Sequence, residues 1–320
     1  MPPLRVGTDY SGIEAPIVTL RALHQPVSHE FSSEICPHAT KVIKALFKPK
    51  VLFANALKQR TLPSKLDIYV AGFPCPIFSQ INSLTGNHAD ARNPLVHFKN
   101  CLSVVKACKP KVFILENVKN IKHTQGGKIW KKLHQSVRNV CESHYHLVTH
   151  KMNTKDYGAP QNRERMYIIG LRNDIARKPL SCPKTKPLKI KFEDIMEKRA
   201  QRRAISPKMQ QRYDKCSKQI PLSSFMPVSI LRMKCCGSPL PPCLTRRGEG
   251  IYWSKRNILT TVREELRLQG FPDTFKFPEG MSGTVCRQLI GNSMSVNVLK
   301  ALFKQIFKET KLRKARSRSQ

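Results

Sequence analysis

The amino-acid sequence predicts an α/β fold, and three observations carry that expectation. Short apolar, β-rich runs alternate with stretches in which apolar residues recur at helical spacing. Several of the runs break at a Gly, a Pro or an acid, where a strand hands over to a loop. The most informative run, Asp67-Ile68-Tyr69-Val70-Ala71-Gly72-Phe73-Pro74-Cys75, sets a cysteine directly on the break. In an open α/β sheet the ligand crevice lies at such strand ends, so Cys75 is placed for chemistry. Alone it would pass for a small buried hydrophobe, and the rest of the chain must supply the partners a nucleophile needs.

A chain of 320 residues, 40% hydrophobic, is long enough to bury most of its apolar surface, and its length suggests about two domains. Lys and Arg number 57 against 21 Asp and Glu, a net charge of +36. The excess runs from Lys41 to Arg318, so the folded body itself carries positive potential and a polyanion is the natural partner. The eleven cysteines include no CxxC, and Cys235-Cys236 with Cys243 lacks the paired spacing of a zinc site, so no metal is expected. Scattered thiols suit a reducing interior. Neither a signal design at residues 1–6 nor an apolar run of about 18 residues is present. The expectation is an intracellular protein, in cytoplasm, nucleoid or nucleus, without a membrane partner.

In order along the chain, residues 5–10 read as a strand, and Ser11-Gly12-Ile13-Glu14-Ala15-Pro16 turns into a helix with Ile17, Leu20 and Leu23 on one face. Strand, Gly turn, helix is how backbone N–H groups approach nucleotide-like ligands, though one glycine is a weak signal. Residues 29–34 form a second strand ending in Glu34, at the distance from the turn where a ribose diol asks for an acid. Residues 39–47 are a helix and 51–54 a third strand, ending at Asn55. The polar, aperiodic stretch 79–94 after the cysteine reads as a long lid.

Residues 98–108 form an amphipathic helix, and 111–115 a buried strand closed by Glu116-Asn117-Val118. Glu116 thus ends a strand at the same sheet edge as Cys75, although helix capping is an equally common use of such an acid. A helix at 129–140 and strands at 146–152 and 165–171 follow, the last preceded by Gln161-Asn162-Arg163-Glu164-Arg165, whose alternating arginines point one way. From Arg172 to about Pro242 the periodicity weakens, prolines recur and basic residues cluster, as in a small nucleic-acid-contacting domain. Residues 260–268 are a helix ended by Gly270-Phe271-Pro272, and Gly291-Asn292-Ser293-Met294-Ser295 opens the last helix. The basic tail reads as disordered.

The constellation resembles the cytosine-C5 DNA methyltransferases. The match follows the family's order: the Ser-Gly-Ile-Glu-Ala turn, Glu34, Pro74-Cys75, Asp90-x-Arg92-x-x-Leu95, Glu116-Asn117-Val118, Gln161-x-Arg163-x-Arg165, the run from Arg263 to Pro272, and Gly291-Asn292-Ser293. The resemblance implies a class I S-adenosylmethionine-dependent methyltransferase fold, a mostly parallel seven-stranded sheet with helices on both faces and a smaller target-recognition domain. It divides the chain into a catalytic domain at 1–171, a target-recognition domain at 172–250, a return to the catalytic domain at 251–310 and a basic tail at 311–320.

It also implies roles. Cys75 attacks C6 of a cytosine flipped out of double-stranded DNA, Glu116 serves N3, and Arg165 holds O2 with Arg163 alongside in one polar wall. S-adenosylmethionine is the methyl donor. The turn Tyr10, Ser11, Gly12 and Ile13 cradles its methionine end, Glu34 takes the ribose hydroxyls and Asn55 stands near the adenine amino group. Phe73 and Pro74 line the methyl-transfer side, and Asn292 and Ser293 close the pocket. The protein is expected to act on DNA as a monomer. Three departures stand out: Pro76 replaces the usual Gln after the cysteine, Asn55 replaces an Asp, and Glu14 replaces a glycine. A catalytically silent DNA-binding relative has no physical reason to keep Cys75, Glu116, Arg163 and Arg165. An RNA-methylating relative ranks below DNA, because the Cys-Phe-Thr signature of that branch is missing.

Overall fold

Parallel strands buried on both faces need near-continuous apolar runs, and the centre of this protein has them. The computed structural model describes residues 2–74, 95–141, 143–200, 202, 205–207, 210–211, 214, 225–227 and 239–312. Cys75, Pro76, the expected lid at 79–94, Asp90, Arg92 and the tail 313–320 lie outside the described residues. The chain packs into two compact units, one of Met1–Met152, Glu164–Lys184 and Leu299–Gln320, the other of Asn153–Arg163 and Thr185–Val298.

The first unit is built on strands β1 (Leu4–Asp9), β2 (Val27–Ser33), β3 (Val51–Phe53), β4 (Ile68–Ala71), β5 (Val112–Val118), β6 (Tyr145–Asn153) and β7 (Glu164–Arg172). They form a seven-stranded sheet in the order β3-β2-β1-β4-β5-β7-β6. The β1–β2, β1–β4, β2–β3 and β4–β5 pairs are parallel, and β5–β7 is antiparallel. β4 is buried at every position, as its central place requires.

Helices cross over between the parallel strands. α1 (Ala15–Ala22) begins with a proline in its first turn, which suits a position whose N–H has no helical partner, and buries Ile17, Val18 and Leu20. α2 (Pro37–Leu46) buries Ala39, Val42 and Ile43. α3 (Val96–Cys108) ends in left-handed Lys109. α4 (Lys128–Cys141) turns Ile129, Leu133, Val137 and Cys141 inward, one residue per turn. Phe31, Tyr69, Phe73, Phe98, Phe113, Leu133 and Met166 belong to one continuous core cluster.

This topology brings the carboxyl ends of β1, β2, β3, β4 and β5 to one edge, because Asp9 is in register with Ser33 and Ala71, Ser33 with Phe53, and Ala71 with Leu115. Reversed β7 adds its amino end to that edge, with Arg165 opposite Val118. The crevice of an open sheet lies at such an edge.

The second unit holds an antiparallel three-stranded sheet, Phe225–Pro227, Ile251–Trp253 and Ile258–Leu259. Phe192 packs edge-on against Phe225 at 4.9 Å and against Trp253 at 5.3 Å. Helix Val262–Leu268 starts with a reciprocal cap, in which Thr261 accepts from the Glu264 N–H and Glu264 accepts from the Thr261 N–H.

One expectation is corrected here. Gly291-Asn292 does not open the last helix; it closes a separate helix, Gly283–Asn292, and the last helix begins at Val296. Only Cys286, Leu289, Ile290 and Gly291 of that extra helix are buried, too short a stripe to stand out in the sequence. No helix among the described residues is long and apolar enough to cross a membrane.

Candidate active site

The segment leading into Cys75 is held from the neighbouring strand. The Asn117 side chain at the end of β5 donates to the Phe73 carbonyl at 3.2 Å and accepts from the Val118 N–H at 2.8 Å. The Phe73 ring is buried in the core, 5.3 Å from Phe98, so it anchors this segment rather than offering an open lining. Pro74 is half-buried beside it, and Cys75 lies outside the described residues.

Glu116 and Arg165 meet one strand further along. Glu116 is in register with Tyr167, so Arg165, two residues earlier, lies diagonally across on the same face, within reach of a long side chain. Its Nε stands 3.2 Å from Glu116 Oε1, both side chains largely buried, and Nη1 donates to the Glu164 carbonyl at 2.8 Å. Glu116 Oε1 is buried and, apart from the ion pair with Arg165, makes no hydrogen bond of proper geometry among the described residues.

The expected cofactor residues gather at the ends of β1, β2 and β3. Tyr10, Gly12 and Glu14 all adopt left-handed backbone, with φ of 55°, 55° and 58°. The Gly12 N–H donates to Glu34 Oε2 at 2.8 Å, while Glu34 Oε1 accepts from the Cys36 N–H at 2.8 Å. Ser11 donates its N–H to the Ser33 carbonyl at 3.1 Å, and its hydroxyl lies 2.9 Å from the Thr8 hydroxyl. Ile13 is fully buried beneath the turn. The Tyr10 hydroxyl meets His97 Nδ1 at 3.1 Å and accepts from Asn100 at 3.4 Å; burial pushes its pKa well above the usual phenol value. Asn55 accepts from the Leu57 N–H at 2.8 Å and so spends one acceptor site on its own turn.

These residues fit S-adenosylmethionine. A side chain built on Gly12 would meet no described atom within 4 Å, so its backbone faces open space. Glu34 retains lone pairs for a diol beyond its two backbone donors. Ile35, 74% exposed, and Leu57, 42% exposed, offer apolar surface beside them, suited to an adenine face. Sequence reading passed over Ile35; the available signal was an apolar residue directly after a strand-closing acid, outside the strand.

Arg163 has a different environment from Arg165. It lies in the second unit and is buried, with Nη1 donating to the Leu244 carbonyl at 2.9 Å and Nη2 to the Gly291 and Ser293 carbonyls at 3.2 and 2.7 Å. A guanidinium committed to three carbonyls braces the segments around Leu244, Gly291 and Ser293. Ser293 is buried with its hydroxyl on the Met294 carbonyl, and Asn292 is exposed at the helix end. A Cβ on Gly291 would fall 2.1 Å from the Thr245 carbonyl oxygen, so only glycine fits there.

Sequence reading also missed Arg60. It donates to both Asp9 oxygens, to Ser33 and to Asn100, and its guanidinium lies 5.9 Å from the Phe31 ring and 5.5 Å from the Phe53 ring. It thereby ties the ends of β1 and β2 to α3. Nothing in its polar, aperiodic surroundings marks it.

A family model described as C-5 cytosine-specific DNA methylase matches residues 10–238 and 239–308. The Type II methyltransferase M.NgoBI of Neisseria gonorrhoeae is 32% identical over 279 residues, covering 85% of this chain and 83% of that protein. M.HaeII of Haemophilus aegyptius, also a Type II methyltransferase, is 31% identical over 278 residues with the same coverage of 85% and 83%. Among solved structures, the S. pombe Dnmt2 methyltransferase superposes with a TM-score of 0.69 at 19% identity over 95% of this chain and 98% of that one. A putative DNA modification methyltransferase from an E. coli prophage gives 0.69 at 19% identity over 96% and 99%. At such identities the structural likeness shows the fold, that of the class I methyltransferases. With the family model spanning nearly the whole chain, the protein belongs to the C-5 cytosine-specific DNA methylase family and is an S-adenosylmethionine-dependent DNA cytosine-5 methyltransferase.

Proposed function

We propose that the protein methylates a cytosine flipped out of double-stranded DNA at the strand edge of the first unit, with Cys75 as nucleophile and Glu116 and Arg165 as its partners. The observation that carries the reading is the Glu116–Arg165 pair at 3.2 Å, one strand from the Asn117-held segment that runs into Cys75. Ring carbon C5 of cytosine is a poor nucleophile. A bond from the Cys75 sulfur to C6 pushes the ring electrons toward C5 and N3, and Glu116 supplies the hydrogen bond or proton that N3 then needs. Arg165 keeps Glu116 oriented and offers N–H donors to O2 of the base. S-adenosylmethionine supplies the methyl group as an electrophilic sulfonium substituent. Transfer of the C5 proton to a water molecule re-forms the C5–C6 double bond and expels the Cys75 thiolate, and any proton lent to N3 goes back to Glu116, so the enzyme returns unchanged.

In this reading Gly12, Ser11 and Glu34 hold the cofactor, with Ile35 and Leu57 against the adenine. Within the second unit, Arg163 braces the segments that carry Asn292 and Ser293. The division into a catalytic domain at 1–171 and 251–310 with target recognition at 172–250 is part of the same proposal. So is action as a monomer. The test is methyl transfer from labelled S-adenosylmethionine to DNA, followed by digestion and mass analysis. 5-Methylcytosine is the expected product; a label on adenine, on cytosine N4 or on RNA alone contradicts the reading.

A further inference from the structure

Glu14 stands where a small residue would be cheaper. Its backbone is left-handed, φ 58° and ψ 44°, a conformation natural to glycine and strained for glutamate. Its carboxylate is fully buried, which is unfavourable for a charged group. Strain of that kind persists only where the surroundings offset it.

The surroundings here are specific. Thr8 on β1 donates its hydroxyl to Oε1 at 2.8 Å, and Ser32 on β2 donates to the same oxygen at 2.6 Å. His29 Nε2 lies 3.5 Å from Oε1 and 2.9 Å from the Ser32 hydroxyl. Oε2 is buried with no hydrogen-bond partner among the described residues. Thr8 also meets the Ser11 hydroxyl, which bonds in turn to the Ser33 carbonyl. One carboxylate therefore gathers the hydroxyls of two strands and, through them, the turn at 10–14. Two residues before it, Gly12 presents its left-handed backbone to open space.

We propose that Glu14 is a positioning residue for the cofactor: by drawing in the Thr8 and Ser32 hydroxyls, its buried carboxylate holds the turn at 10–14 in the left-handed shape that offers the Gly12 backbone to S-adenosylmethionine. The inference rests on the reading that this turn and Glu34 hold the cofactor. It excludes the simpler view that glutamate is merely tolerated in a glycine position.

Glycine and glutamine substitutions separate the two. Glu14→Gly relieves the backbone strain and removes the carboxylate, whereas Glu14→Gln keeps an oxygen acceptor for both hydroxyls. Binding of S-adenosylmethionine without DNA is measured by calorimetry for wild type, Glu14→Gly, Glu14→Gln and Glu34→Ala, each checked for folding by thermal melting, alongside KM and kcat. The expected result is a cofactor Kd raised about tenfold in Glu14→Gly, largely restored in Glu14→Gln, with the change in KM rather than kcat. Wild-type affinity in folded Glu14→Gly, with binding lost in Glu34→Ala, overturns the role of Glu14 alone. Unchanged affinity in Glu34→Ala overturns the cofactor site itself. Should Glu14→Gly not fold, a Glu14→Gln protein that folds but binds no better than Glu34→Ala overturns the proposal, and one that binds like wild type upholds it.

Discussion

Burial acts on Glu14 and His29 in opposite senses. Glu14 is pushed up to about 7, chiefly by burial, with Glu34 adding to the rise and the Ser32, Thr8 and Ser11 hydroxyls opposing it. His29 is pushed down to about 4 by burial and by Arg21 on α1, against the pull of Glu30. For Glu14 the folded protein holds a proton that the unfolded chain has released above about 4.5, so its contribution to stability is present below that pH and lost as pH rises through about 7. His29 works the other way, its contribution being lost as pH falls from about 6.5 toward 4. In the wild type the two oppose each other. Glu14→Gln removes one, so its melting temperature relative to wild type should climb by roughly 5 °C between pH 5 and 7.5; parallel melting curves would refute the assignment. Glu116→Gln should lower kcat by about a hundredfold or more with cofactor affinity unchanged. Arg165→Lys should fail to rescue Arg165→Ala, since an ammonium cannot reproduce the guanidinium fork. At this scale the strand-closing acids Glu34 and Glu116 were legible because each ends an apolar run. Arg60 and the hold of Asn117 on the Phe73 carbonyl were not, because both depend on residues distant in sequence that meet only in the fold.

The elements matter chiefly for what they deliver to one edge. β4 hands its carboxyl end to the Cys75 segment, β5 contributes Glu116 and Asn117, and antiparallel β7 brings Arg165 opposite. Asn117→Ala should release the Phe73 carbonyl, lowering kcat about tenfold while leaving the Kd for S-adenosylmethionine within twofold of wild type. A parallel loss of cofactor binding would show instead that the sheet edge had collapsed. In the second unit, Gly291→Ala places a methyl group against the Thr245 carbonyl oxygen, with an expected cost of about 2 kcal/mol or more read by denaturant unfolding. Strands and crossover helices could be read from period and composition, since each buries a clean apolar face. The helix Gly283–Asn292 could not, because its buried stripe is short and its Gly291-Asn292 end resembles a cap.

Across the whole molecule, a net charge of +36 predicts DNA binding that weakens steeply with salt. With several phosphates neutralised, affinity should fall by about a thousandfold or more between 50 and 200 mM salt, while cofactor affinity without DNA barely moves. The order of motifs along the chain was enough to suggest the family, because each motif carries a separate chemical requirement and their sequence is hard to meet by accident. The target-recognition stretch stayed opaque, since base readout depends on side-chain geometry rather than on composition. The central claim is that Cys75 forms a bond to the target cytosine. The most direct measurement is incubation with double-stranded DNA carrying 5-fluorocytosine and S-adenosylmethionine, followed by denaturing electrophoresis. Fluorine at C5 cannot leave as a proton does, so wild type should remain covalently attached to the DNA and Cys75→Ala should not. Wild type that methylates ordinary DNA yet gives no adduct, or an undiminished adduct with Cys75→Ala, would contradict the account.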